Sequence, residues 1–187
     1  MKTESNVRYV MRLTITLLLI ATVVAVALAT VNEITKPIIA RAAEEKVRQA
    51  IETVLPGGYE TEITQFADDT GMVKKVYKGA NGYALEVHTA GFDGDIALMV
   101  GVGNDGKVLN ICVISHTETA GLGAVSAANN AAGKAFREQF IGKSGSVQVS
   151  KDGGDIDAIT GATVTSRAVC AGVNAALACV AGLGGAQ

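Results

Sequence analysis

Three cysteines, two histidines and no basic excess set the first limits on this 187-residue chain. The cysteines, Cys112, Cys170 and Cys179, are odd in number and far apart. That pattern excludes a disulfide framework and a CxxC-type metal site, and leaves them as small buried hydrophobes. A Cys170–Cys179 bridge fails for a second reason, because nine residues of one helix separate the pair by about 13 Å. There is no GxSxG, and two histidines among abundant acids do not make a hydrolytic triad. His88 and His116 also lack the carboxylate or cysteine that would complete a metal ligand set. Beyond residue 12, 13 basic and 17 acidic side chains leave a net charge of −4. With no basic patch to neutralise phosphates, nucleic acid is not a partner. The chain has no internal repeat and no low-complexity linker, and its 22 glycines are spread through turns and loops. Its length suffices for one packed domain plus a membrane segment, and is too short for two domains with separate cores.

What the chain has in excess is apolar residues, 49% of the total, and that excess is localised. Residues 13–32, LTITLLLIATVVAVALATVN, carry no charge; as a helix they match the roughly 30 Å hydrocarbon core. Lys2, Arg8 and Arg12 precede this run against one acid, Glu4, and Glu33 follows it. The basic flank predicts a cytoplasmic N-terminus over residues 1–12, with the remainder outside, in a single-pass protein of the inner or plasma membrane. Ala27-Leu28-Ala29 also fits a small-x-small cleavage site, so a removed signal peptide is the competing reading; the run is longer than a typical signal core. Either way the C-terminal part is exported. No cysteine closely follows the run, so a lipid anchor there is not supported.

Residues 33–56 place Ile39, Ala42, Ala43, Val47, Ala50, Ile51 and Val54 near a helical period, predicting a juxtamembrane helix that ends before Pro56-Gly57-Gly58 and is kinked or started by Pro37. Residues 57–187 form the exported domain. Short β-branched runs follow at Met72 to Tyr77, Tyr83 to His88, Ile96 to Val100 and Val108 to Ile114. Asn81-Gly82, Asp93-Gly94 and Asp105-Gly106 fall between them as hairpin turns, which predicts an antiparallel meander. Helices are expected over Ala124 to Phe140 and Ser166 to Val180, the second fraying into Gly182-Leu183-Gly184-Gly185. The fold class is α+β: one antiparallel sheet packed by helices, preceded by a transmembrane helix.

Two motifs are set aside. Gly101-Val102-Gly103-Asn104-Asp105-Gly106 matches GxGxxG, but a dinucleotide fingerprint must open a helix and this one leads into a strand, so it is a hairpin turn. The acidic loop Asp152-Gly153-Gly154-Asp155-Ile156-Asp157 lacks the spacing of a calcium loop. The informative segment is Asp157-Ala-Ile-Thr160-Gly161-Ala162-Thr163-Val-Thr165-Ser166, which runs straight into the last predicted helix. Small residues there admit a ligand to the backbone, and hydroxyls cluster where a helix start leaves amide donors unpaired. A helix start of this kind suits a phosphate. A plain Ser/Thr helix cap without a ligand has the same sequence appearance.

Asp157-x-x-Thr160-Gly161-Ala162-Thr163 resembles the D-x-x-[S/T]-G-A-T signature at which a flavin transferase joins FMN to the last threonine as a phosphoester. The family includes the G subunit of Rnf (ferredoxin:NAD+ oxidoreductase) complexes and the C subunit of sodium-translocating NADH:quinone reductases. Gly91-Phe92-Asp93-Gly94 is similar to the family's G-[YF]-x-G, and His116 to Gly123 to its H-x-E-T-[PA]-G-L-G loop. The likeness also takes in the membrane span and juxtamembrane helix, and the compact length is nearer the Rnf subunit. Two departures are small: Thr160 replaces the commoner serine, and Ala120 stands where proline is frequent.

The resemblance implies FMN held covalently on Thr163, with Thr160, Gly161, Ala162 and Thr165 around it and Asp157 read by the transferase. It implies that Glu118, Thr119, Gly121, Leu122 and Gly123 lie near the flavin ring. No side chain is expected to act as acid, base or nucleophile in turnover. The implied function is an electron-carrier subunit of a membrane complex coupling ferredoxin/NAD redox chemistry to Na+ or H+ translocation, with other subunits, a flavin transferase and membrane lipid as partners. A membrane-tethered assembly protein, or one binding flavin or a small anion noncovalently, is the alternative.

Overall fold

The computed structural model describes residues 2–184, with side chains from residue 7 onward; Gly185 and the side chains of Lys2 and Glu4 lie outside the described part. The chain divides into two compact units, one up to Glu45 and one from Lys46 onward.

Helix α1 (Lys2–Val54) runs through the first unit, where it contains the whole uncharged run, and its residues from Lys46 onward belong to the second. An 18-residue window of it reaches a mean hydropathy of 2.5 with none of it buried. Its threonine hydroxyls are satisfied within the helix: Thr14 donates to Val10 O, Thr16 to Arg12 O, Thr22 to Leu18 O and Thr30 to Val26 O, at 2.8–3.0 Å. A helix that hydrogen-bonds its own hydroxyls leaves little polarity for hydrocarbon to exclude. Pro37 lies inside α1 and does not start a new helix. It removes one N–H from the ladder, and the Ala-, Glu- and Arg-rich segment after it restores helical bonding.

The second unit is built on a five-stranded meander, β1 (Thr61–Ile63), β2 (Val73–Gly79), β3 (Gly82–Ala90), β4 (Asp95–Gly103) and β5 (Val108–Ser115). Every neighbouring pair is antiparallel and the strands lie in chain order. The turn pairs read from the sequence sit at the hairpins, and the GxGxxG segment closes β4 to β5, where Gly106 takes a φ of 74°. Side chains alternate between two apolar layers. Leu85, Val87, Leu98, Val100 and Ile111 face one layer with Val169, Val173, Ala176 and Val180, which recur along α3 (Thr163–Gly182) at helical spacing. Ala84, Met99 and Tyr77 face the other, where Ala50, Ile51 and Val54 of α1 close the layer. Both faces of the sheet are covered, so eight of the nine residues of β4 are buried. At Gly101 an added Cβ would lie 2.1 Å from the Val54 carbonyl oxygen, so only glycine lets the end of α1 rest on β4.

α3 also passes a length-and-hydropathy test for a membrane span, at 1.5, but 67% of that window is buried in the core. It is the central helix of this domain. Cys170 and Cys179 are buried in it as free thiols, and burial pushes both thiol pKa values up. The alanine-rich stretch expected as one helix is two pieces: a 3-10 turn (Gly123–Ala127) and α2 (Ala131–Glu138). The break follows from Ala128 being extended and from Asn130, whose side chain accepts the Gly133 amide at 2.9 Å and caps α2. Arg137 fastens the two pieces by donating to Ser126 O and Ala128 O.

Candidate functional site

The signature segment forms a tight turn ahead of α3. Ala162 N donates to Ile159 O at 2.9 Å, which puts Thr160 and Gly161 at the turn's centre. Gly161 has a φ of 77°, the angle of the third residue of a type II turn, and glycine takes it without strain. Ser166 ties the turn to the helix, accepting from Ile159 N and donating to Ala162 O. Thr163 is then the first residue of α3, three residues ahead of the expected start, and Ala162 at the N-cap has no side-chain acceptor to offer. The helix start is left without a side-chain cap, a position that favours an anion. Lys151 brings its ammonium to 3.2 Å from the Thr163 hydroxyl.

Thr163 opens onto a cavity of about 320 Å³ lined also by Phe92, Glu118, Thr119, Leu122, Gly123, Lys151 and residues 161–165. Two other cavities are larger, at about 490 and 610 Å³, so size does not single this one out; its chemistry does. Five large apolar side chains outside α1 are strongly exposed among the described residues, and three border this cavity: Phe92 at 71%, Leu122 at 43% and Val164 at 46%. Exposed apolar surface gathered at a polar-ended cavity marks a ligand site. A planar ring system carrying a phosphate fits this donor set, with apolar walls for the ring and a lysine plus a helix start for the anion.

Of the residues expected around a cofactor, Thr163, Gly161, Ala162, Thr165, Glu118, Thr119, Leu122 and Gly123 line this cavity together. Gly121, Thr160 and Asp157 line the 610 Å³ cavity instead, beside Phe136 and Gln139. Asp157 is held there through its backbone, its amide donating to Gln139 Oε1 at 2.7 Å while its carbonyl accepts from Gln139 Nε2, and the residue is exposed. The neighbouring acids of that loop are matched by cations, Asp152 by both arms of Arg167 at 2.7 Å and Asp155 by Lys143.

Glu118 is 7% exposed and joins three segments. Oε1 accepts the amides of Phe92 at 2.7 Å and Asp93 at 3.2 Å, from the turn between β3 and β4. Oε2 accepts the Thr165 hydroxyl at 2.5 Å, from the first turn of α3. Thr117 adds a bond to Asp93 O at 2.8 Å. An added Cβ at Gly91 or at Gly123 would lie 2.1 or 2.2 Å from the Glu118 carboxylate, so these glycines make room for it. Burial pushes the Glu118 pKa up, but the Thr165 hydroxyl, the two amides and His116 outweigh it and hold the carboxyl below its ordinary value. A depressed folded-state pKa stabilises the fold above the unfolded value of about 4.3, and the contribution is lost as pH falls below it. Denaturant titrations between about pH 6 and 3 are therefore expected to show a falling unfolding free energy that Glu118→Gln flattens in part; Asp68, Asp152 and Asp155, also held low, keep the remainder.

Sequence reasoning gave no site role to Lys151, Phe92 or Val164. Lys151 lies twelve residues before Thr163 in the acidic loop, where no spacing rule marks it. Phe92 did leave a signal, an aromatic residue at a polar hairpin turn.

The class of the domain is set by a family model described as "FMN-binding domain", which matches residues 91–178 of this small α+β fold. That span includes the Gly91 turn, the Glu118 loop, Lys151 and Thr163. The G subunit of the Na+-translocating ferredoxin:NAD+ oxidoreductase complex of Acetobacterium woodii is 31% identical over 197 residues, covering 92% of both chains. The G subunit of the ion-translocating oxidoreductase complex of Methanosarcina acetivorans is 28% identical, over 92% of this chain and 95% of its own. The corresponding protein of Pseudomonas aeruginosa is 32% identical over 80% and 78%. The chain belongs to the G-subunit family of ion-translocating ferredoxin:NAD+ oxidoreductase (Rnf) complexes.

Proposed function

We propose that this chain is the flavin electron-transfer subunit of such a membrane complex and that it carries FMN as a phosphoester on Thr163. The observation that carries the covalent reading is the Thr163 hydroxyl at the uncapped start of α3, with Lys151 3.2 Å away and three exposed apolar side chains across the same cavity. When bound, FMN supplies the redox chemistry. The chain supplies position. Lys151 and the start of α3 offset the phosphodiester charge, Phe92, Leu122 and Val164 offer apolar contact, and Glu118 holds the surrounding loops at a fixed spacing. Thr163 takes no part in turnover; its oxygen is a tether.

Residues 13–32 cross the bilayer in this reading, with residues 1–12 in the cytoplasm, 33–56 as a juxtamembrane helix and 57–187 as the extracytoplasmic FMN domain. Lipid surrounds the span. The basic flank, Arg8 and Arg12 among it, supports that orientation. An exported carrier with a dissociable cofactor would lose it by mass action to a compartment poor in FMN, and a covalent bond removes that loss. A flavin transferase that reads the signature from Asp157 to Thr163 completes the maturation. Asp157 and Thr160 are exposed to such an enzyme.

Intact mass and peptide mapping of chain purified from membranes under denaturing conditions test this reading. The expected result is a fluorescent band and one added FMN less one water, on the peptide containing Thr163. An unmodified mass from a host that contains the transferase would leave a noncovalent site.

A further inference from the structure

β5 is an edge strand, the last in the order of the sheet. Its eight residues, VLNICVIS, include no charge and no proline, although native edges are usually guarded by one or the other. The start of the edge is closed, since Gly142 N donates to Val108 O and Val108 N to Lys143 O, at 2.8 and 2.9 Å. Further along it is open. Ile111 N donates to the Asn110 side chain at 2.9 Å, so the Ile111 backbone faces away from β4. Antiparallel alternation puts the Val113 N–H and C=O on that same outer side. Among the described residues the Val113 carbonyl receives only the Cys112 thiol, at 3.8 Å.

This edge floors a groove of about 490 Å³. Five consecutive residues, 110–114, border it, which happens when a strand presents its edge, because a face presents every second residue. The last turns of α1 wall one side and α2 the other. The charges on these walls are Lys46, Lys134 and Arg137 against the single acid Glu138, in a chain whose net charge is negative.

From this juxtaposition we propose that the groove receives an acidic, extended segment of another subunit of the membrane complex, which pairs with β5 as a sixth strand. The proposal rests on the reading of the chain as a complex subunit. Strand addition uses the open backbone groups for affinity and the flanking cations for selection. A second copy of this chain would bring the same cations against each other, and a lipid headgroup would have no use for the backbone edge.

The test uses the complex isolated from membranes. Zero-length carbodiimide coupling joins amines to carboxylates, and the expected adduct links Lys46 or Lys134 to an acidic peptide of another subunit. Two variants complement it: the pair Lys46→Glu with Lys134→Glu, and Val113→Pro, which an edge strand tolerates because the lost N–H faces outward. Each is expected to keep its flavin fluorescence while the amount of chain retained on the complex drops about tenfold. Wild-type retention of both variants, or an adduct to a second copy of this chain, overturns the proposal. So does a lysine-pair variant that stays on the complex but loses binding to vesicles of anionic lipid, since that outcome assigns the groove to headgroups. Absence of flavin from the unaltered chain sinks the carrier reading instead, and the adduct's identity remains a separate result.

Discussion

Thr163→Ala is expected to yield chain with no covalent flavin: a dark band under ultraviolet light and an intact mass equal to that of the bare polypeptide. The reason is stoichiometric. The phosphoester needs a hydroxyl oxygen, and methyl has none to give. The substitution is otherwise mild, because Thr163 is half-buried and its one side-chain bond, to exposed Lys151, is 3.2 Å long. Such a bond is worth no more than about 1 kcal/mol, so the denaturant midpoint should stay close to wild type and flavin loss cannot be ascribed to misfolding. Thr163→Ser keeps the oxygen at the start of α3 and should retain part of the flavin. Covalent flavin persisting in the alanine variant, on Thr160 or Thr165 for instance, would overturn the assignment to Thr163.

Glu118→Ala has the largest expected effect on stability. It strands two amides, Phe92 and Asp93, and the Thr165 hydroxyl around a buried site, and leaves a void that water fills imperfectly. Removing the acceptor from a satisfied buried network costs about 2–4 kcal/mol, more than an exposed carboxylate would. The same change frees the Gly91–Gly94 turn from the start of α3, so tethered flavin should become more accessible to a soluble quencher such as iodide. Glu118→Gln separates positioning from charge. Its carbonyl can accept the amides and its NH2 can donate to the Thr165 oxygen, so most of the stability and the shielding should return. An alanine variant within about 0.5 kcal/mol of wild type would mean that the clamp carries no weight.

The two substitutions probe different parts of one site, and the sequence disclosed those parts unequally. The role proposed for Thr163 could be read because the signature it rests on is contiguous, seven residues from Asp157. For Glu118 the family resemblance implied a place near the flavin ring, and the residue lines the cavity with Thr163. In the fold both its oxygens face protein donors 25 and 47 residues away in the chain. Lys151 was not legible as a site residue, and Phe92 showed only as part of the Gly91–Gly94 motif. Their nearness to Thr163 depends on how the acidic loop and the β3–β4 turn fold over the start of α3. That helix begins at Thr163 because a tight turn with Gly161 at positive φ delivers the chain there; the sequence rule sought a hydroxyl at the N-cap and found the start three residues late. The break between Ala127 and Ala131 was missed for a related reason, since alanine content favours helix on both sides and only the Asn130 cap marks the interruption.

By itself the sequence determined what local chemistry controls. An uncharged run sets the membrane helix, alternation with Asn-Gly and Asp-Gly pairs sets the meander, and one contiguous signature sets the flavin attachment residue that we propose. Hydropathy, turn preference and motif all act between residues near in sequence. The tertiary structure alone decided which distant groups meet Thr163, how the Glu118 carboxylate is shared between the β3–β4 turn and the first turn of α3, and that an uncharged strand edge lies open between two helices. Those are consequences of packing a five-stranded sheet between the last turns of α1 and α3, and no short-range pattern encodes which loops that packing brings together.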